Sequence, residues 1–331
     1  MKTISIVMPV YNTEIYLEKS IQSVLAQDIG QENFILIAIN DGSTDRSLEI
    51  LNSYEKKYPN CIRVIDQKNQ GVGKARNVGI ELASSKYISF LDSDDYYDVD
   101  FLKKHVEKAE ETNADVVISG FRRITSEGEI LRKYVPNSPQ RYTKYSTMTS
   151  WNRIHRLEFL KKDNILFFEN TFVEDTPFSL SVIAQGAKYE FIDYIGYNWL
   201  FNPESFSSTK LQVGNKENTD KAVEMLSTFL DIGSTKLVKS PEFSYFMFKG
   251  ISHQLLRQGR LASQKGFLEQ FYKEKELLEN RLPNALKLSS IIKGSVGDEM
   301  KVRGVVLAFF SIYKLGLMSL FAKVYTKGDK I

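Results

Sequence analysis

Ile4-Ser5-Ile6-Val7-Met8-Pro9-Val10-Tyr11-Asn12 is the stretch on which the fold turns. Its first five residues, apolar except Ser5, read as a buried β-strand that runs into a turn led by proline rather than glycine. A dinucleotide-binding domain needs glycines at that turn so that backbone can approach a pyrophosphate, and a Walker-type loop needs Gly-Lys-Ser/Thr. Pro9-Val10-Tyr11-Asn12 serves neither. The strand is followed by Ile15, Leu17, Ile21, Val24 and Leu25 at helical spacing, a second strand over Phe34 to Ile39, and a helix marked by Leu48, Leu51 and Tyr54. The unit repeats: strands at Ile62 to Ile65, Tyr87 to Leu91 and Val116 to Ser119 alternate with helices at Ala75 to Ala83 and Phe101 to Thr112. Such alternation predicts an α/β fold with a mostly parallel sheet, whose ligands bind beyond the carboxyl ends of the strands.

Three polar segments fall at those ends: Pro9 to Asn12, Asn40-Asp41-Gly42-Ser43-Thr44-Asp45, and Asp92-Ser93-Asp94-Asp95. Carboxylates gathered after a buried strand repel one another unless a cation or hydrogen-bond donors satisfy them. Mg²⁺ or Mn²⁺ bridging to a diphosphate is a common solution. A plainer reading stands beside it: Asp94 or Asp98 caps the helix that starts at Phe101.

Composition narrows the classes. With 331 residues, 42% hydrophobic and 26% charged, the chain has material for a large core plus an appendage. A net charge of +3 does not suit a nucleic-acid-binding surface. The single cysteine, Cys61, rules out an internal disulfide and a cysteine-cluster zinc site, and the N-terminus lacks a secretory pattern, so cytoplasmic location is the expectation. His105, His155 and His253 show no metal-ligand spacing. The aromatic stretch Tyr194 to Phe206, with Trp151 and Trp199, suits sugar stacking, but core packing is the commoner use of such residues.

In order and spacing, Ser5 to Asn12, Asn40 to Asp45, Gly71-Val72-Gly73-Lys74-Ala75-Arg76-Asn77-Val78-Gly79 and Phe90-Leu91-Asp92-Ser93-Asp94-Asp95 resemble glycosyltransferase family 2, of the GT-A type. Trp151-Asn152-Arg153-Ile154 and Phe172 to Phe178 are similar to later elements of the family, and the resemblance fades beyond about Ser208. It implies a nucleotide-sugar-binding half over residues 1–119 and an acceptor-binding half over 120–208; beyond it, 209–331 reads as a helical C-terminal region, membrane-associating or dimerising. Pro9 and Tyr11 match positions that line the base pocket, with Asn12 beside them. Asp41 matches the carboxylate that reads the uracil edge, and Arg76 and Asn77 match nucleotide contacts. Asp92 matches the position near the ribose, with Ser93 among the nucleotide-sugar contacts, while Asp94, with Asp92, matches the metal-binding position for Mn²⁺ or Mg²⁺. Asp175 matches the general base and Glu174 a neighbour of the donor sugar or acceptor. Two departures stand out: the Gln-x-x-Arg-Trp element of processive members is not found, and Leu200 to Asn202 lacks an arginine that the family often has there.

The implied reaction moves a hexose or N-acetylhexosamine from a UDP-sugar to an acceptor hydroxyl by direct displacement, a divalent cation neutralising the leaving diphosphate and one carboxylate accepting the proton. A single displacement inverts the anomeric configuration. The acceptor class implied is a bacterial surface polysaccharide, capsule or exopolysaccharide, on a lipid carrier, with teichoic acid or protein left open. Glu174 and Asp175 also suit the start of a helix over Pro177 to Ala184. Two other functions remain: a catalytically inactive GT-A glycan-binding protein, and a nucleotidyltransferase, which would need a basic glycine-rich loop near the first strand.

The end of the chain carries Val305 to Phe310 and Leu315 to Val324 among Lys301, Arg303, Lys314, Lys323, Lys327 and Lys330. A crossing helix needs ~20 mostly apolar residues, and a central lysine costs on the order of 3 kcal/mol. The pattern therefore predicts either a helix lying on an anionic membrane face, placing the protein peripherally on the inner plasma membrane, or one packed on protein, including a second copy.

Overall fold

The computed structural model describes residues 2–136, 142–169, 173–202, 216–234 and 236–328. Phe172, Phe206 and the boundary near Ser208 lie outside them. By its internal contacts the chain divides into two units, residues 1–139 with 148–202, and residues 140–147 with 203–331.

The first unit opens as the apolar pattern requires: β1 (Ile4–Val10), α1 (Glu14–Leu25), β2 (Phe34–Asp41), α2 (Ser47–Lys57), β3 (Ile62–Gln67), α3 (Val72–Leu82) and β4 (Tyr87–Phe90). β3, β2, β1 and β4 are parallel neighbours in that order. Every residue of β1 is buried. Ile4, Ile6, Met8 and Val10 enter one core cluster while Val7 enters the other, the period of two of a strand covered on both faces. α3 lies tight on β1: a Cβ at Gly79 would meet Val7 Cγ1 at 2.2 Å, so only glycine permits this approach.

The rest of the sheet is mixed. After the short β5 (Tyr96–Tyr97) and α4 (Phe101–Thr112) come β6 (Val116–Ile124) and β7 (Ile130–Tyr134), and later β8 (Arg153–Arg156), α6 (Leu157–Lys162, following an α5 described below), α7 (Asp175–Ala184) and β9 (Tyr189–Leu200). The expected fifth strand exists, but β8 stands between it and β4, antiparallel to both. β6 then pairs β9 in parallel. α4 starts from Asp100, whose side chain makes no cap bond, so neither Asp94 nor Asp98 caps it.

The second unit is helical: α5 (Thr143–Ser146), α8 (Lys216–Gly233), α9 (Pro241–Gln258), α10 (Gln264–Arg281), α11 (Leu288–Gly294), α12 (Met300–Lys314) and α13 (Met318–Tyr325). Its caps follow local chemistry. Ser240 Oγ accepts from Phe243 N ahead of Pro241, and Ser263 Oγ accepts from Gly266 N.

Candidate active site

Three loops leave the carboxyl ends of adjacent strands β2, β1 and β4, and hydrogen bonds lace them together. Asn12, held at φ +51, accepts from Thr44 N through Oδ1 at 2.8 Å, and its own N–H donates to Ser43 Oγ at 3.1 Å. Thr13 Oγ1 donates to Ser93 Oγ at 3.0 Å. Ser93 is buried and Pro9 lies within buried β1, whereas Tyr11 is 51% exposed, so it is not a core residue. Asp41 is buried with both oxygens engaged: Oδ1 accepts from Gln70 N and Gln67 Nε2, and Oδ2 from Gly71 N at 2.8 Å. Its carboxylate thus fixes the turn that opens α3.

That turn aims Arg76 inward rather than into solvent. Its Nη1 donates to Glu174 Oε1 at 2.7 Å and to Asp175 Oδ1 at 3.2 Å, and its Nη2 to Asp92 Oδ1 at 2.7 Å. One buried guanidinium therefore gathers acids from the loop after β4 and from the start of α7. Burial alone would lower the Arg76 guanidinium, but the charges of Asp175, Asp92 and Glu174 outweigh it and hold it above its ordinary value. Asn77 does not join this group: Nδ2 donates to Phe167 O and Oδ1 accepts from Phe167 N, which pins the chain ahead of α7.

Asp175 is the first residue of α7 and Glu174 its cap position, so both begin a helix and face the cluster at once. The Asp175 side chain keeps 20% exposure. Burial raises its carboxyl to about 6; Arg76 pulls it down, while Glu174 and Asp92 push it back up. Burial, with the charge of Asp92 next, raises Asp94 to about 6 as well, and Asn202 donates to it. Asp92 spends one oxygen on Arg76 and keeps 30% exposure. Asp92 and Asp94 are thus partly exposed carboxylates that repel each other, a pair of hard oxygen donors of the kind a divalent cation would suit. Among the described residues no group of three or more His, Cys, Asp or Glu is arranged to hold a metal by itself.

Sequence reasoning passed over two residues here. Asp95 is buried, accepts from Tyr197 Oη at 2.7 Å and from Leu200 N at 2.8 Å, and so ties the acidic loop to the end of β9. Burial, then the charges of Asp94 and Asp92, pushes it well above the carboxylate range. Arg123 of β6 lies over the rings of Trp199 at 4.4 Å and Phe201 at 4.7 Å, with Nε buried and unpartnered. It reaches the arginine-free segment Leu200 to Asn202 from another strand. Its neighbour Arg122 instead bonds Asn198 and Asp98. Strand alternation separates the two arginines, and only knowledge of the partner strand tells which one meets this segment. Trp151 is core, stacked on Tyr197 at 4.6 Å, and His105 and His155 are buried.

Residues 5–176 match the family described as Glycosyl transferase family 2. An uncharacterised glycosyltransferase, EpsJ of Bacillus subtilis (strain 168), is 33% identical over 243 residues, which are 68% of this chain and 69% of that protein. The minor teichoic acid biosynthesis protein GgaB of the same organism is 28% identical over 93% of this chain, but the match spans only 34% of GgaB. Among solved structures, residues 1–349 of Staphylococcus aureus TarS in complex with UDP share the fold, with a TM-score of 0.64 and 20% identity over 100% of this chain and 92% of that one.

Proposed function

The chain belongs to glycosyl transferase family 2 and is a glycosyltransferase of GT-A fold, and from that premise we propose that it transfers a hexose or N-acetylhexosamine, with inversion, from a UDP-sugar to a glycan hydroxyl. The observation that carries this reading is the cluster on Arg76, which brings Asp92, Glu174 and Asp175 together at the carboxyl edge of the sheet. In this reading Asp175 takes the proton of the attacking hydroxyl. A carboxyl near 6 suits the task, because it is mostly ionised at neutral pH yet more basic than a solvated aspartate. Arg76 aims it and, through Asp92, ties its position to that of the diphosphate. Glu174 flanks the sugar or acceptor.

Pro9, Tyr11, Asn12 and Asp41 line the nucleotide side, with Asn77 holding its far wall and Ser93 beside the ribose. Mn²⁺ or Mg²⁺, when bound by Asp94 and Asp92, would neutralise charge on the departing diphosphate. Arg123 adds a fixed cation near Asn202. Residues 1–119 then serve the donor, 120–208 the acceptor, and 209–331 neither. The teichoic acid protein among the relatives and the UDP held by the structural neighbour favour a UDP-sugar and a surface-polysaccharide acceptor, lipid-linked in this reading. A panel of UDP-, GDP- and dTDP-sugars incubated with Mn²⁺ tests the donor. Slow hydrolysis of a UDP-sugar is expected, and turnover confined to another nucleotide would overturn it.

A further inference from the structure

The last two helices expose a surface that the transfer chemistry leaves unused. α12 packs into its own unit through Val306, Phe309 and Phe310, and α13 through Met318 and Ala322, each at the spacing of one buried helical face. Their outer sides are apolar as well: Val305, Leu307, Leu315, Leu317, Leu320 and Val324 are exposed, Leu315 by 72% and Val324 by 73%. Gly316, at φ +71, turns the chain between the helices. A run of exposed apolar side chains on two consecutive helices calls for something to cover it.

Charge says what. From Met300 to Gly328 the charged residues are Lys301, Arg303, Lys314, Lys323 and Lys327, with no Asp or Glu among them. All four lysines are exposed. The core of a protein interface is depleted in lysine, whereas an anionic bilayer takes apolar side chains at its acyl boundary and lysines at its head groups. Among the described residues no helix is long and apolar enough to cross a membrane, which leaves the interfacial mode. We propose that α12 and α13 form a platform that docks on an anionic lipid surface, with Leu315, Leu317, Leu320 and Val324 inserted and Lys314 and Lys323 snorkelling to head groups. The proposal rests on the transferase reading only for its purpose, delivery to a lipid-linked acceptor; docking itself involves neither donor nor acceptor.

Flotation of the full chain with vesicles of phosphatidylcholine, with and without 30 mole per cent phosphatidylglycerol (about one lipid in three, enough for a strong surface field), tests it without any sugar present. The chain should float with the anionic vesicles at low salt, stay behind with the neutral ones, and detach as salt rises. Lys314→Glu with Lys323→Glu should lower partitioning by about tenfold or more. Leu320→Asp should lower it with every lysine in place, and Leu320→Ser, which adds no charge, should lower it too. These positions are exposed, so the melting temperature should stay put, and donor hydrolysis, measured separately, should persist in every variant. Binding that is equal on neutral vesicles, or absent from anionic ones at low salt, overturns the proposal. So does a concentration-dependent dimer that Leu320→Asp dissolves while vesicles are ignored, because a second copy then covers the face.

Discussion

Two buried carboxyls, one in each unit, are displaced in the same direction by different surroundings. Asp175 sits beside a guanidinium and two further acids and keeps one side open to solvent. Glu274 of α10 is 1% exposed; Gln270 Nε2 donates to its Oε1 at 3.2 Å, and its Oε2 has no partner. It lines a cavity of about 60 Å³ whose walls are mostly apolar, Leu226, Phe229 and Phe246 among them. Burial raises Glu274 to about 8, whereas Asp175 stays near 6 because Arg76 offsets part of the same penalty. At pH 7 the first is neutral and the second mostly ionised. A raised carboxyl therefore does not by itself mark chemistry; the counter-charge and the route to solvent do.

The contrast breaks most sharply at Asp175. Asp175→Asn keeps the shape but removes the base, so transfer should fall on the order of a thousandfold, while UDP-sugar affinity measured by calorimetry stays within a few-fold. Transfer near the wild-type rate would move the base elsewhere. Arg76→Lys comes next, because an ammonium does not satisfy three carboxylates in the forked geometry of a guanidinium. A loss of about a hundredfold is expected, and the pH profile carries the sharper information. With Asp175 as base, the wild-type rate falls tenfold per unit below about pH 6. Since Arg76 lowers that carboxyl, the limb should move to higher pH in the variant. A limb that does not move separates Arg76 from the base.

Asp94→Ala asks a smaller question about the same loop. Because Asp94 shares neither Arg76 nor α7, its loss should spare the base and abolish the metal dependence of UDP binding, worth about tenfold in affinity. Calorimetry with and without Mn²⁺ measures this directly. An unchanged difference between the two titrations would take Asp94 out of the metal site.

What could be read from sequence follows the range of the interaction. Helix α4 falls over Phe101–Thr112, the span its periodicity gives, because a 3.6-residue stripe is a local signal. β8 was not legible: Arg153-Ile154-His155-Arg156 is four residues long with charge at both ends, and only its neighbours β4 and β6 make it a strand. The site divides in the same way. The acidic loop after β4 and the pair Glu174-Asp175 could be named from motif position. Their meeting on Arg76 spans 16, 98 and 99 positions, and nothing local to Arg76 distinguishes an inward arginine from one facing a nucleotide. Asn77 is a similar case, since its partner, the Phe167 backbone, lies 90 positions away.

The smallest effect on transfer is expected at Glu274, where the consequences should appear in stability alone. Its folded-state value, about 8, exceeds the ordinary 4.5. Below about pH 4.5 the carboxyl is protonated in both folded and unfolded chains, and it then has no pH-dependent cost. As pH rises toward 8 the unfolded chain sheds the proton and the folded one retains it, so this residue subtracts about 1.4 kcal/mol of stability per pH unit across that window. Above 8 both forms are ionised and the loss levels off. Glu274→Gln keeps an acceptor for Gln270 Nε2 and removes the group whose ionisation burial opposes. The variant should therefore melt higher than wild type at pH 7.5, by a margin that shrinks toward pH 5, with transfer unchanged at both. A margin independent of pH would show that Glu274 keeps its charge in the fold. A drop in transfer at unchanged stability would instead make the buried acid of the helical unit part of the chemistry, and the distinction between the two carboxyls would fail.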